Sequence, residues 1–261
     1  FLHGRTPQGD AMKSSSRSAF TLIELAAAFA VFALILLAVG SIVQQSSDSW
    51  RSGLDAVSAS DEGRAFTDEA FRDLTAAVCT SNFPFVVVNN GSGSTASDRL
   101  YLISGYRRNS NGTSDLSEVA YFLKNDPQTP GAKILVRRQQ NTATNSIRSS
   151  FRQGGARDTL AEIKGLSFWD PSSLPDEFSS EMARNVLSFR VACYGTNNNL
   201  LTPYDSFPPR TGQLPARVEV TLQILPKETW SRKAAGSAPA ALEKSTVETF
   251  SIAVSPTQTA Y

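Results

Sequence analysis

The stretch that decides the architecture runs from Phe20 to Val43 and reads FTLIELAAAFAVFALILLAVGSIV. These 24 positions hold one charged residue, Glu24. As a helix the stretch is about 36 Å long, at about 1.5 Å per residue. That is enough to span a hydrocarbon core of about 30 Å. Lys13 and Arg17 stand just before it, with no acid between Met12 and Phe20. The positive-inside rule then keeps the N-terminus cytoplasmic and sends the C-terminal bulk across the membrane. A cleaved secretory signal has a shorter apolar region, about 7–15 residues. A plain signal anchor fits the length but gives no reason for Glu24, because a carboxylate inside a membrane helix costs on the order of 2.5–3.5 kcal/mol.

The rest of the composition removes most enzyme classes. The chain has 261 residues, 25 Lys and Arg against 24 Asp and Glu, and a formal net charge of +1, so no basic field points to nucleic acid. Its one histidine, His3, lies at the extreme N-terminus, which leaves little room for histidine triads or histidine-ligated zinc. Two cysteines, Cys79 and Cys193, cannot build a cysteine zinc site or an iron–sulfur cluster. No spacing of Asp, Ser or Lys marks a nucleophile, and we read no catalytic site.

The segment Ser18-Ala19-Phe20-Thr21-Leu22-Ile23-Glu24-Leu25 resembles the type IV prepilin signature, G-F-T-L-I-E-L followed by about twenty apolar residues. The resemblance covers Ser18 to about Val43. In that family a membrane aspartyl peptidase cuts before the Phe and methylates the new amino group. Carried over, the cut falls between Ala19 and Phe20, and Phe20 becomes the N-methylated first residue. The family usually has Gly where this chain has Ala19. Residues 1–19 then form a basic leader, of which Met12 to Ala19 is a typical short one and 1–11 an over-extended start. The resemblance also implies a partner for Glu24, which in a helical bundle would pair with the Phe20 amine of a neighbouring subunit. It implies three further associations: prepilin peptidase, other pilins or pseudopilins, and an inner-membrane assembly platform.

After Val43 the chain turns polar. Trp50, Leu54 and Val57, then Phe71, Leu74 and Val78, fall at helical spacing. They predict an amphipathic continuation of the same helix over 44–80, to about Val78, with its stripe packed on a sheet. Gly53 and Gly63 weaken this half and invite a bend. Residues 81–261 read as a β-rich periplasmic or extracellular domain. Strands are predicted at Phe83–Val88, Arg99–Tyr106, Glu118–Lys124, Lys133–Arg138, Gly165–Trp169, Val186–Tyr194, Arg217–Leu225 and Val247–Val254. The clearest is the alternation of Val218, Val220, Leu222 and Ile224 with Glu219, Thr221 and Gln223. Ser231–Ala241 reads as a flexible loop. The fold class is therefore α+β, a long N-terminal helix packed on antiparallel sheet.

Shorter stretches resemble the J-type minor pseudopilins of type II secretion and the W-type minor pilins. They are Val119-Ala120-Tyr121-Phe122-Leu123, Leu135-Val136-Arg137-Arg138 and Leu214-Pro215-Ala216-Arg217-Val218-Glu219-Val220. Arg137-Arg138 reads as a solvated edge pair that discourages aggregation. Cys79 and Cys193 are disulfide candidates in an oxidising envelope, but burial as small hydrophobes is the favoured reading. Asp170, Asp176 and Glu177 are the weak candidates for calcium, although their spacing fits no calcium motif and a solvated acidic loop explains them. No cofactor is otherwise implied. The resulting expectation is a non-enzymatic minor pseudopilin or pilin subunit. The rivals are an envelope enzyme or binding domain on a plain anchor, and a minor pilin serving adhesion or DNA uptake.

Overall fold

The structure is a computed structural model that describes residues 21–80, 83–105, 116–141, 179–206, 213–234 and 247–256. The chain divides into two compact units, Phe1–Trp50 and Arg51–Tyr261. One helix, α1 (Leu22–Thr75), supplies the described part of the first unit and opens the second. The strands follow as β1 (Ala77–Val78), β2 (Val86–Val88), β3 (Arg99–Ser104), β4 (Ser117–Asn125), β5 (Lys133–Asn141), β6 (Ser179–Ala183), β7 (Val186–Tyr194), β8 (Tyr204–Asp205) and β9 (Arg217–Ile224). A short helix, α2 (Lys227–Ala234), precedes the last strand, β10 (Glu248–Val254). The α+β class expected from the patterning is the class observed.

Among the described residues the strands form two sheets. The larger runs β6-β5-β4-β3-β2-β8, with β1 also on β3, and the smaller runs β10-β9-β7. Every named pairing is antiparallel. The alternation at β9 does what a period of two requires: Val218, Val220, Leu222 and Ile224 are buried, while the residues between them are half-buried. The segment before β3 stitches the sheets together. The Phe189 N–H donates to Ala96 O (2.9 Å) and the Asp98 N–H to Phe189 O (3.0 Å). The buried Asp98 carboxylate accepts from the Val191 N–H (2.8 Å), the Asn90 N–H (2.9 Å) and Asn89 Nδ2 (2.8 Å).

The main core lies between the second half of α1 and both sheets. Its helical contribution is Ala59, Phe66, Ala70 and Leu74, with the buried Gly63 between them, at i, i+7, i+11, i+15 and i+4. Phe66 makes edge-to-face contacts with Tyr121 of the larger sheet and Phe189 of the smaller, each at 6.1 Å between centroids. One ring thus binds the helix to both sheets, a geometry worth about 0.5–1.5 kcal/mol per pair beyond area burial.

Several expectations need correction. The stripe Trp50, Leu54 and Val57 does not face the core: these residues are 72%, 55% and 59% exposed, and Phe71 is 50% exposed. The face that packs is the opposite one, and it sets small residues around Phe66 and Leu74. A Cβ on Gly63 would run into the Phe250 ring, so glycine here permits the close approach of β10. Gly53 has open space around it. The helix ends at Thr75, short of Val78, because Ala77 and Val78 pair with Ser104 and Ile103 of β3. β6 was not foreseen: its sequence, Ser-Ser-Glu-Met-Ala, has little β-branched or aromatic content. Ser231–Ala234 belongs to α2 rather than a loop. The strand expected at Gly165–Trp169 lies outside the described residues.

Candidate functional site

The first feature is the opening half of α1. From Leu22 (86% exposed) to Val43 (60%), every large apolar side chain is at least half exposed, and they point to all sides of the helix. A helix apolar all round suits lipid or a bundle of like helices, because in water each such side chain forgoes about 1.5–3 kcal/mol of burial. By length and composition this helix can cross a membrane.

At its start Glu24 is not isolated. Thr21 is the N-cap and Glu24 the third helical residue, and the two close a reciprocal capping box. Glu24 Oε2 accepts from the Thr21 N–H (2.9 Å) and from Thr21 Oγ1 (3.0 Å), while the Glu24 N–H donates to Thr21 Oγ1 (3.3 Å). The T-x-x-E spacing carries this signal in the sequence. The box gives Glu24 a local role that any helix start could use.

The second feature is a column of acids on one edge of the buried face, Asp55, Glu62, Glu69 and Asp73, spaced by seven, seven and four. Each reaches a donor in the β-rich part of the chain. Asp55 Oδ2 accepts from the Glu228 N–H in the first turn of α2 (3.1 Å). Glu62 Oε2 accepts from the Arg184 N–H (2.8 Å), in the turn joining the two sheets. Burial pushes the Glu62 carboxyl above its ordinary range, against the lowering effect of that bond. Asp73 takes Arg137 bidentately, from Nε at 2.7 Å and Nη2 at 2.9 Å, and also accepts from the Tyr121 hydroxyl at 2.5 Å. Glu69 Oε1 adds an ion pair with Arg137 Nη2 at 3.4 Å.

Arg137 is therefore not a solvated edge residue. It is 2% exposed, and so is Arg138 on the opposite face of β5. Burial alone would lower the basicity of the Arg137 guanidinium. The hydrogen bonds and charge of Asp73 more than offset this and hold it protonated. Burial, then the adjoining Asp73 carboxylate, pushes the Tyr121 hydroxyl well above its ordinary range, so it remains a donor. A buried arginine fixes position more than it adds stability, and its planar fork sets the register of α1 on the larger sheet.

The remaining candidates divide. Ala19 and Phe20 lie outside the described residues, as do Asp170, Asp176 and Glu177. Among the described residues no group of three or more His, Cys, Asp or Glu side chains could hold a metal ion. Cys79 and Cys193 are both buried in the main core and carry no disulfide. Cys79 Sγ lies 3.4 Å from Gln213 O, and burial pushes its thiol up, away from reactivity.

No family model matches the chain, and no curated protein matches it in sequence. Among solved structures, the type IV-like pilin TTHA1219 from Thermus thermophilus is 10% identical. The alignment covers 76% of this chain and 94% of that one, with a TM-score of 0.37. An overlap of that size carries no argument about function.

Proposed function

We propose that the chain is a non-enzymatic minor subunit of a type II secretion pseudopilus or a type IV pilus-like fibre. It is held in the bacterial inner membrane by the first half of α1, with the N-terminus cytoplasmic and the β-rich domain periplasmic. Prepilin peptidase removes the leader before Phe20 and methylates the new amine. An assembly platform then lifts the subunit into a bundle in which Glu24 faces the amine of a neighbour. The supporting observation is α1 itself. A 54-residue helix begins with a lone carboxylate, leaves its apolar first half uncovered and commits its second half to the β-rich domain. The prepilin-like sequence from Ser18 to Leu25 adds the processing step. Among fibres, the short strand stretches resemble secretion pseudopilins and minor pilins alike. Arg137, in the second of them, has its own structural work on Asp73 and says nothing about cargo.

A plain anchor is the second reading, and the capping box favours it by giving Glu24 a local purpose. The two part at Glu24→Val. A carboxylate is costly in the bilayer, so insertion survives the change. Cleavage survives too, because the cut precedes Phe20. In the fibre the neighbour's amine would be left without a partner, which costs about 3–5 kcal/mol. Processed mutant should collect in the membrane and fail to co-purify with other prepilin-like chains. Unchanged co-purification, with unchanged secretion or piliation, would transfer the case to the plain anchor.

A further inference from the structure

The apolar run of α1 has a defined end. Between Glu24 and Val43 the one hydrogen-bonding side chain is Ser41, and its hydroxyl donates to Ala38 O at 2.8 Å, within the helix. Polar residues follow from Gln44, and Asp48 is the first charged residue after Glu24. Trp50 then returns a large ring to the surface, 72% exposed. It shares a side of the helix with Val43, whereas Asp48 falls about 200° round from it at about 100° per residue. The ring borders a hollow on the helix surface lined also by Ile42, Val43, Ser46 and Ser47. Helical side chains lean toward the N-terminus, so this ring covers the turn before its own Cα.

We propose that Trp50 is a membrane-interface residue, which seats its ring in the lipid headgroup layer where α1 leaves the bilayer and fixes the depth at which the helix stands. This rests on the reading of the first half of α1 as a membrane span. The depth follows from the helix itself. Trp50 lies about 10 Å beyond Val43 along the axis, and the backward lean returns its ring by about one turn, or about 5 Å. The headgroup layer on each side of a bilayer is about 5–7 Å thick. With Val43 at the edge of the hydrocarbon, the ring stands inside that layer. Indole suits the place, because its flat apolar body meets the acyl boundary and its N–H donates to ester or phosphate oxygens. A neighbouring apolar helix is the poorer occupant. It would set the hydroxyls of Ser46 and Ser47, which line the same hollow, against hydrocarbon.

The test uses the full chain, purified in detergent and reconstituted into phosphatidylcholine vesicles, beside Trp50→Ala. The sequence holds 3 tryptophans, so the emission of the wild type less that of Trp50→Ala reports Trp50. The vesicles carry no bromine, bromine on the acyl chains next to the headgroup, or bromine near the chain ends. Bromine next to the headgroup should quench the Trp50 signal about twofold more than bromine near the chain ends, as an interfacial ring requires. Both proteins should float with the vesicles equally, since the span carries insertion. A signal quenched by aqueous iodide and by neither brominated lipid would put the ring in water and overturn the proposal, with the span intact. A signal quenched by none of the three would put it against another helix and overturn the proposal equally. A wild-type chain that does not float would remove the membrane reading of α1, and this proposal with it.

Discussion

The two halves of α1 carry similar helical geometry and opposite surfaces. The first half is apolar on every side and exposed among the described residues, with its single acid tied to its own N-cap. The second half has few large apolar residues on its packed face. It is held by alanine, glycine, one phenylalanine and one leucine, and by four acids that each reach a donor in the β-rich domain. A helix can thus be committed to two environments by changing which groups need a partner. Apolar bulk without cover asks for lipid or for other helices. Small residues with flanking acids ask for one particular sheet, because close approach and directed hydrogen bonds both depend on exact register.

The sharpest way to break this contrast is to remove the first half. Fragment 44–261 should be soluble, with a β-rich circular dichroism spectrum and a helical component. A fragment that precipitates, or is purely helical or unfolded, would mean that the second half does not belong to the β-rich domain.

Next in size is the buried ion pair. Arg137→Met leaves Asp73 and Glu69 facing an apolar side chain, and urea unfolding of the same fragment should show a loss of about 3–5 kcal/mol. Joining it to Asp73→Leu should recover much of that, since two apolar partners replace two charges. An Arg137→Met fragment as stable as the parent would refute the account of how the helix is fastened.

The two glycines sharpen the comparison further. Gly63→Leu should destabilise by about 1–3 kcal/mol, because its side chain must displace Phe250. Gly53→Ala, in open space, should stabilise by up to about 1 kcal/mol through helix propensity. Equal effects at both positions would erase the distinction between packed and unpacked faces.

The smallest effect concerns pH. Burial raises the folded-state pKa of Glu62, so the folded chain binds its proton more tightly than the unfolded chain does. The stability gained from that proton is fully present below the ordinary carboxylate value of 4.5 and is lost as pH rises from there through the raised folded-state value. Glu62→Gln should remove this slope, so that the mutant gains on the parent as pH rises. A parent that gains on the mutant over the same interval would reverse the sign.

Much of this was legible from the residues. Strand β7 falls where its alternation put it, at Val186–Tyr194, and β9 ends one residue from the expected bound. Period two with β-branched residues is a strong signal when one face is buried. Helical periodicity is weaker, because it finds a stripe without saying what the stripe meets. Trp50, Leu54 and Val57 are a genuine stripe on the wrong side, and the true one hid in Ala59, Gly63 and Ala70, which hydrophobicity ranks low. Arg137 was misplaced for a related reason. Charged residues are surface residues by default, and its burial depends on Asp73, 64 positions earlier in the chain. At Thr21 the signal was present as T-x-x-E, and it concerns a local hydrogen bond that sequence alone can specify.

The central claim is that the first half of α1 belongs to a processed fibre subunit, and the mature N-terminus tests it most directly. The full-length protein should be recovered from its host, or from cells with an active prepilin peptidase, and its first residues and intact mass determined. The account predicts a chain beginning at N-methylated Phe20, with Glu24 intact and the leader gone. A mature chain that begins upstream of Phe20, or one cut after Val43, would contradict it.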